Sequence, residues 1–99
     1  MNKKIPTPTI GEILRTEFLE PLSITAYRMA KDLNVSTSTV LDILNDRRKL
    51  SIEMALKLSK YFGTSEKFWI NIQSDIEVRN KKDELKEVLQ KIHSISGTA

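Results

Sequence analysis

The chain contains no cysteine among its 99 residues. Disulfide bonds, thiolate metal sites and thiol catalysis are therefore excluded, and the fold must rest on packing. There is also no apolar run of membrane-spanning length, and the N-terminal stretch MNKKIPTPTIGE lacks the apolar segment of a secretory signal. We therefore expect a cytoplasmic protein. A chain of this length can bury a modest core by itself, so we expect it to form one domain.

Residues that carry catalysis or bind cofactors are also scarce. The three glycines lie at positions 11, 63 and 97, too far apart to form a phosphate-binding loop. His93 is the only histidine, it has no second candidate metal ligand beside it, and no carboxylate lies in clearly apolar surroundings. The sequence therefore predicts no catalytic residue, no metal site and no cofactor, and it does not indicate an enzyme.

Apolar residues recur at helical spacing along the chain, and no segment alternates as a β-strand would. Helices are predicted over about 10–20, 25–33, 37–45, 52–62 and from 65 onward, with Pro21 ending the first at residue 19 or 20. The predicted N-caps are Thr9, Ser23 or Thr25, Ser36 and Ser51, and the fifth helix is predicted to start at Ser65. After residue 78 a charged segment either continues the fifth helix or forms a sixth one with a break near residue 80. We therefore expect an all-α bundle of five to six helices.

Two short helices joined by a tight turn are predicted over residues 26–45, AYRMAKDLNVSTSTVLDILN. Ala30 is small where the helices would cross, and Met29 and Leu33 share one apolar face. Asn34 occupies the turn position that often needs positive φ, which asparagine tolerates. The pattern predicts a repressor-type helix-turn-helix, whose second helix lies in the DNA major groove. A helical hairpin with no DNA role would fit the same residues.

Candidate DNA contacts flank this turn. The hydroxyls at the exposed start of the second helix, residues 37–39, are suited to base edges or nearby phosphates. The basic run at residues 47–49 should meet the phosphate backbone, although the net charge of the chain is only +3. Backbone N–H groups at the start of the first helix of this motif, near Thr25, can also bind phosphate. The predicted DNA-binding set is Thr25, Arg28, Ser36, Thr37, Ser38, Thr39, Arg47, Arg48 and Lys49.

Three segments outside the motif narrow the interpretation. They are GEIL at residues 11–14, EFLEPL at 17–22 and YFGTSEKFWINIQ at 61–73, which contains the pattern FW-x-N-x-Q formed by Phe68, Trp69, Asn71 and Gln73. Over residues 11–79 the chain resembles the HigA-type antitoxins. The resemblance implies an antitoxin of a type II toxin–antitoxin pair that binds a HigB-type toxin, an mRNA endonuclease. It also implies a homodimer that binds double-stranded operator DNA of its own operon and represses transcription.

One departure from the family affects DNA recognition. HigA-type proteins often carry arginine at the positions of Thr37 and Thr39, and arginine makes the commonest specific contact to guanine. The threonine methyl groups in this chain, together with Leu41, are better suited to thymine methyls. We therefore expect an A·T-rich operator that is read partly through its shape.

Two sets of side chains are candidates for protein contacts. Two recognition helices are needed to read two half-sites, and aromatic and apolar anchors are common at interfaces. The predicted dimer contact is the set Phe68, Trp69, Ile72 and Ile76. HigB-type toxins are basic, which favours an acidic surface on the antitoxin. The candidate toxin contact is the set Glu12, Glu17 and Glu20, with the N-terminal arm and the charged C-terminal helix as alternatives.

The predicted organisation is a flexible N-terminal arm at 1–9, a helix-turn-helix DNA-binding domain at 10–79, and a C-terminal helical extension with a frayed tail at 80–99. The predicted function is an antitoxin that is also a DNA-binding autorepressor. A stand-alone repressor without a toxin, and a toxin-binding module that no longer reads DNA, are the alternatives.

Overall fold

A computed structural model describes residues 8–96, so most of the predicted N-terminal arm and the last three residues of the tail lie outside the described residues. Within that range the chain is helical and has no strand. The helices are α1 at 10–22, α2 at Ala26–Leu33, α3 at Thr37–Leu44, α4 at Ile52–Phe62, α5 at Phe68–Glu84 and α6 at Lys86–Gln90. The predicted all-α bundle of five to six helices with a helix-turn-helix is confirmed.

Four of these helices are capped at the N-terminus by a side-chain oxygen. The hydroxyls of Thr9, Thr25, Ser36 and Ser51 each accept the backbone N–H three residues further on, at 3.0–3.1 Å. Each bond satisfies a donor that a helix leaves unpaired at its start. The predicted caps at these positions are confirmed, and the cap of α2 is Thr25. Ser23 instead ends α1 in the left-handed conformation, with φ of 53°.

Helix α1 extends to residue 22, so the predicted stop at residue 19 or 20 is wrong. Its central part, Leu14–Leu19, is a wide π-helix, after which the Glu20 N–H bonds to the carbonyl oxygen five residues earlier. Pro21 then lies in the first turn of the short α-helical segment Glu20–Leu22. Proline has no N–H with which to continue the helical hydrogen bonding, and the helix ends one residue later.

Helix α5 begins at Phe68, so the predicted start at Ser65 is three residues too early. The Phe68 N–H bonds to the Ser65 carbonyl oxygen at 3.2 Å and closes a turn, and no side chain caps the helix. The hydroxyl of Ser59 in α4 donates to the Glu66 carbonyl oxygen at 3.3 Å. This contact ties the turn before α5 to the preceding helix.

Helix α5 also continues past residue 80, and helical geometry is interrupted only at Leu85, before α6. Of the two alternatives for the charged segment, continuation of the fifth helix is correct as far as Glu84, and a break near residue 80 is wrong. The predicted domain boundary between 79 and 80 therefore falls inside a helix. Packing nevertheless changes close to it, because every described residue after Ile76 is exposed.

The core lies among α1 to α4 and the first turn of α5. Its largest fully buried side chains are Leu14, Met29, Val40, Ile43, Leu58 and Trp69. Burying a large apolar side chain contributes about 1.5–3 kcal/mol, which makes this cluster the main stabilising element. Since α2 and α3 both contribute to it, the helix-turn-helix is held rigidly by the rest of the domain.

Candidate nucleic-acid interface

The turn between α2 and α3 has the geometry that its residues predict. Asn34 lies in the left-handed region, with φ of 57° and ψ of 48°, so the expected positive φ is confirmed. The Val35 N–H bonds to the Ala30 carbonyl oxygen at 3.0 Å and closes the end of α2. Ala30 is only 2% exposed, as expected where the two helices cross. The turn therefore fixes α3 relative to α2 and leaves one face of α3 open.

The exposed face of α3 carries a hydroxyl and an apolar side chain. Ser38 and Leu41, three residues apart, are both exposed. By contrast, the hydroxyls of Ser36 and Thr39 bond to each other at 2.8 Å, and the Ser36 oxygen also accepts the Thr39 N–H. Thr37 is half-buried. Among the predicted hydroxyl contacts at residues 36–39, Ser38 is thus the one that is both exposed and outside the capping pair.

The loop of residues 45–50, hereafter the basic loop, is tied to two helices. Asp46 has a φ of 59°, and its Oδ1 accepts the Gly11 N–H of α1 at 3.0 Å. At the other end, both backbone polar groups of Leu50 bond to the side-chain amide of Gln73 in α5, at 2.8 and 3.0 Å. The two arginines of the loop lie between these anchors and are exposed. They are therefore presented from a fixed backbone.

Lys49 differs from the two arginines. Its Nζ lies 2.9 Å from Oε1 of Glu77 in α5, while the two side chains are 79% and 45% exposed. An exposed ion pair of this kind contributes little to stability. The Glu77 carboxylate therefore offsets the Lys49 charge without holding the ammonium group firmly.

Arg28, on the exposed side of α2, is also paired. Its Nε lies 3.4 Å from Oδ2 of Asp32, one turn further along the helix. Tyr61 of α4 donates its hydroxyl to the same carboxylate oxygen. Burial raises the pKa of Tyr61 above its usual value, as do the hydrogen bond and the charge of Asp32, whereas the Arg28 charge lowers it. The Asp32 carboxylate thus connects Arg28 to α4.

Several residues of this surface were not evident from sequence patterns. Tyr27, in the first turn of α2, is 67% exposed, and its only signal is a large aromatic residue on an otherwise polar helix face. Asp46 and Glu77 contact residues that are distant in the chain, so no local spacing indicates their roles. Gln73 stood out only as part of the FW-x-N-x-Q pattern, which says nothing about its partner.

Comparisons with known proteins identify the fold around this surface. A family model described as Helix-turn-helix matches residues 17–69. A Haemophilus influenzae protein described as an uncharacterized HTH-type transcriptional regulator is 42% identical over 78 residues, which are 79% of this chain and 72% of the relative. The solved structure of Pseudomonas aeruginosa antitoxin HigA with the higBA promoter is 37% identical, with a TM-score of 0.82 over 89% of this chain and 97% of that chain. A second Pseudomonas aeruginosa protein, solved in complex with its operator DNA, is 35% identical, with a TM-score of 0.86 over 93% of this chain and 98% of that chain.

This chain belongs to the HigA-type helix-turn-helix family. As a HigA-type protein it is a DNA-binding transcription regulator and not an enzyme. None of its described helices is long and apolar enough to cross a membrane. Within residues 8–96 no three His, Cys, Asp or Glu side chains are grouped so that they could hold a metal ion.

In this HigA-type chain the predicted dimer contact needs one correction. Trp69 is fully buried, and its ring centroid lies 4.9 Å from that of Phe18 and 5.3 Å from that of Phe68. It is therefore a core residue of this chain and leaves no surface for a second chain. Phe68, Ile72 and Ile76 are half-buried on α5 and keep surface that a partner can cover.

The acidic side chains predicted to meet a toxin are accessible in this HigA-type chain. Glu12, Glu17 and Glu20 all lie on α1 and are exposed. Their position leaves them available to a basic partner, and their role stays a prediction.

Proposed function

We propose that this protein binds the operator of its own operon as a homodimer, represses transcription, and neutralises a HigB-type mRNA endonuclease toxin. The observation that carries the proposal is the position of the basic loop beside α3. Thr39, Arg48 and Lys49 line the same surface depression, so the start of the recognition helix and the basic loop face one side. The proposed partners, operator DNA and a toxin that cleaves mRNA, act in the cytoplasm, which is where the proposal places the protein.

The arginines of the basic loop are expected to contact the DNA backbone. The slope of log K against log salt concentration is negative, and each neutralised phosphate adds about 0.9 to its magnitude. Replacing Arg47 and Arg48 together by glutamine should therefore lower the magnitude of that slope by about 1.8 and weaken binding to all duplexes alike. Fluorescence anisotropy titrations at several salt concentrations measure it. The matched control removes two charges from the outer half of α5, Arg79→Gln with Lys82→Gln, and should leave the slope nearly unchanged. A normal slope in the loop variant would contradict the assignment.

The exposed face of α3 is expected to read bases. Ser38 offers a hydroxyl that can donate or accept, and Leu41 offers apolar surface to thymine methyls. We therefore expect an A·T-rich operator, with part of its recognition coming from DNA shape. Selection from a pool of random duplexes measures this preference. A G-rich consensus contacted by α3 would contradict it.

A homodimer is proposed because one recognition helix reads only a few base pairs. Two helices related by a twofold axis reach half-sites roughly 34 Å apart. The proposed contact is the open side of α5 around Phe68, Ile72 and Ile76, without Trp69. The double variant Ile72→Ala, Ile76→Ala should sediment as a monomer. As the control, Ile52→Ala with Leu56→Ala truncates apolar side chains of α4 that are 71% and 46% exposed, and it should remain a dimer. An intact dimer in the α5 variant would place the contact elsewhere.

Toxin binding is assigned to the acidic face of α1. A variant with Glu12, Glu17 and Glu20 changed to lysine should fail to co-purify with the basic product of the adjacent reading frame, because attraction becomes repulsion. The control reverses Glu66 and Asp75, which are exposed outside α1, and should still capture the toxin. Full capture by the α1 variant would move the contact to the N-terminal arm or the C-terminal helix. If even the unaltered protein captures nothing, a stand-alone repressor is the better description.

A second function is favoured by the composition of α3. Between Thr37 and Leu44 this helix contains no arginine or lysine, so it offers no cationic side chain to the phosphates. A toxin-binding module that no longer reads DNA would tolerate such a helix. An electrophoretic mobility shift with the protein's own promoter at modest salt separates the two functions, since persistent absence of a shift would favour the module.

A further inference from the structure

The side chain of Gln73 makes two hydrogen bonds to one backbone residue of the basic loop. Its Oε1 accepts the Leu50 N–H at 2.8 Å, and its Nε2 donates to the Leu50 carbonyl oxygen at 3.0 Å. The two residues are separated by 23 positions in the chain. A primary amide is well suited to this contact, because it offers a donor and an acceptor in one plane. Glutamate can accept the N–H but cannot donate to the carbonyl.

This contact closes one end of a short basic segment. Leu50 is 5% exposed and fixes the end of the loop in the core. At the other end, Asp46 is bonded to Gly11 of α1. The three basic residues, 47–49, lie between these two anchors and are exposed. Their backbone is therefore ordered before any DNA arrives, and DNA binding need not supply the ordering entropy.

We propose that Gln73 is a positioning residue for DNA binding, which holds Arg47 and Arg48 where phosphates meet them. The proposal rests on the proposed function, since it presumes that the basic loop contacts DNA. Gln73 acts through the backbone of Leu50 and touches no nucleotide itself. Loss of its amide leaves the loop end held only by the buried Leu50 side chain, so the arginines are positioned less uniformly and their contribution to DNA affinity falls.

A double-mutant cycle on operator binding tests this role. The variant Gln73→Met keeps a neutral, unbranched side chain but removes both hydrogen bonds. We expect the magnitude of the salt slope to fall by about 1–2 and the operator Kd to rise roughly tenfold. Adding Arg47→Gln and Arg48→Gln to Gln73→Met should then change Kd by less than about threefold, because the two perturbations act through the same contacts. The control Asn71→Met makes the same kind of change at an exposed position of α5 and should keep the full arginine effect.

The outcomes separate this inference from the proposed function. If the arginine substitutions raise the operator Kd by the same factor in the wild-type and Gln73→Met backgrounds, Gln73 is only a structural residue and the inference is overturned. If the arginine substitutions leave the operator Kd unchanged in both backgrounds, both the DNA role of the loop and the inference are wrong.

Amide hydrogen exchange on the unaltered protein provides a measurement that does not depend on the folding of a variant. The Leu50 N–H should be protected in the absence of DNA, because it is bonded to Gln73. Exchange at the rate of an unstructured peptide would overturn the proposed positioning.

Discussion

Replacing Gly11 by alanine tests how closely α1 must approach α3. A Cβ at this position would lie 2.3 Å from the Leu44 carbonyl oxygen, 2.8 Å from the Leu44 carbonyl carbon and 2.9 Å from the Ile43 carbonyl oxygen. Ordinary van der Waals contact begins at 3.4 Å, so the start of α1 must withdraw by about 1 Å. All three neighbours are backbone atoms, and therefore no side chain can rotate out of the way.

The expected change in the free energy of unfolding is the sum of one stabilising and two destabilising contributions. Helix propensity alone favours alanine over glycine by about 1 kcal/mol. Overpacking costs about 1–3 kcal/mol. Withdrawal of α1 also breaks the 3.0 Å bond from the Gly11 N–H to Asp46, which contributes about 1 kcal/mol. The net expectation is a loss of about 1–3 kcal/mol in the free energy of unfolding, or at least about 4 °C in Tm.

Urea denaturation followed by circular dichroism measures this loss. Arg15→Ala, at an exposed position of the same helix, should stay within about 0.5 kcal/mol of wild type. Gly63→Ala places a Cβ in open space at a φ of 72°, so it should show only the conformational cost of about 1–2 kcal/mol. A Gly11→Ala variant as stable as wild type, or more stable, would refute the steric reasoning.

Three other features can be tested by single substitutions. Burial and Asp32 raise the pKa of Tyr61, so its contribution to the free energy of unfolding is complete below about pH 10 and is lost as pH rises through the higher folded pKa. The difference in unfolding free energy between wild type and Tyr61→Phe, measured by denaturation curves, should therefore shrink above about pH 10. Asn34 has a φ of 57°, so Asn34→Ala should lower the unfolding free energy by about 1 kcal/mol, whereas Asn34→Gly should not lower it. Equal unfolding free energies for the two variants would contradict the turn assignment. Glu77→Gln removes the carboxylate that competes for Lys49, so operator affinity should rise a few-fold at low salt, and an unchanged Kd would mean that this lysine does not meet DNA.

Local features of this protein could be predicted because their causes lie within a few residues. The hydroxyls of Thr25, Ser36 and Ser51 cap helices that start at the next residue, and each bond spans three positions. Asn34 ends α2 with positive φ for an equally local reason. Where a local signal failed, as at Ser65, the turn is bonded to another helix through Ser59 and Glu66, a contact that the local pattern does not show.

The candidate site was predicted only in part for the same reason. Periodicity shows that α5 has an apolar face but does not show which helices cover it. Trp69 is therefore not distinguishable from an interface residue until α1 and α4 are seen to enclose it. The pairing of Lys49 with Glu77 likewise depends on the distance between the basic loop and α5, which no spacing within either segment determines.

The sequence by itself determined the helix-turn-helix, its caps and turn, the family and the basic run that follows α3. Each of these depends on neighbouring residues or on the order of segments along the chain. Only the tertiary structure decided how the basic loop is held, because its anchors, Gly11 to Asp46 and Gln73 to Leu50, join residues 35 and 23 positions apart. Bonds between such distant residues exist only after the core has brought α1, α3 and α5 together.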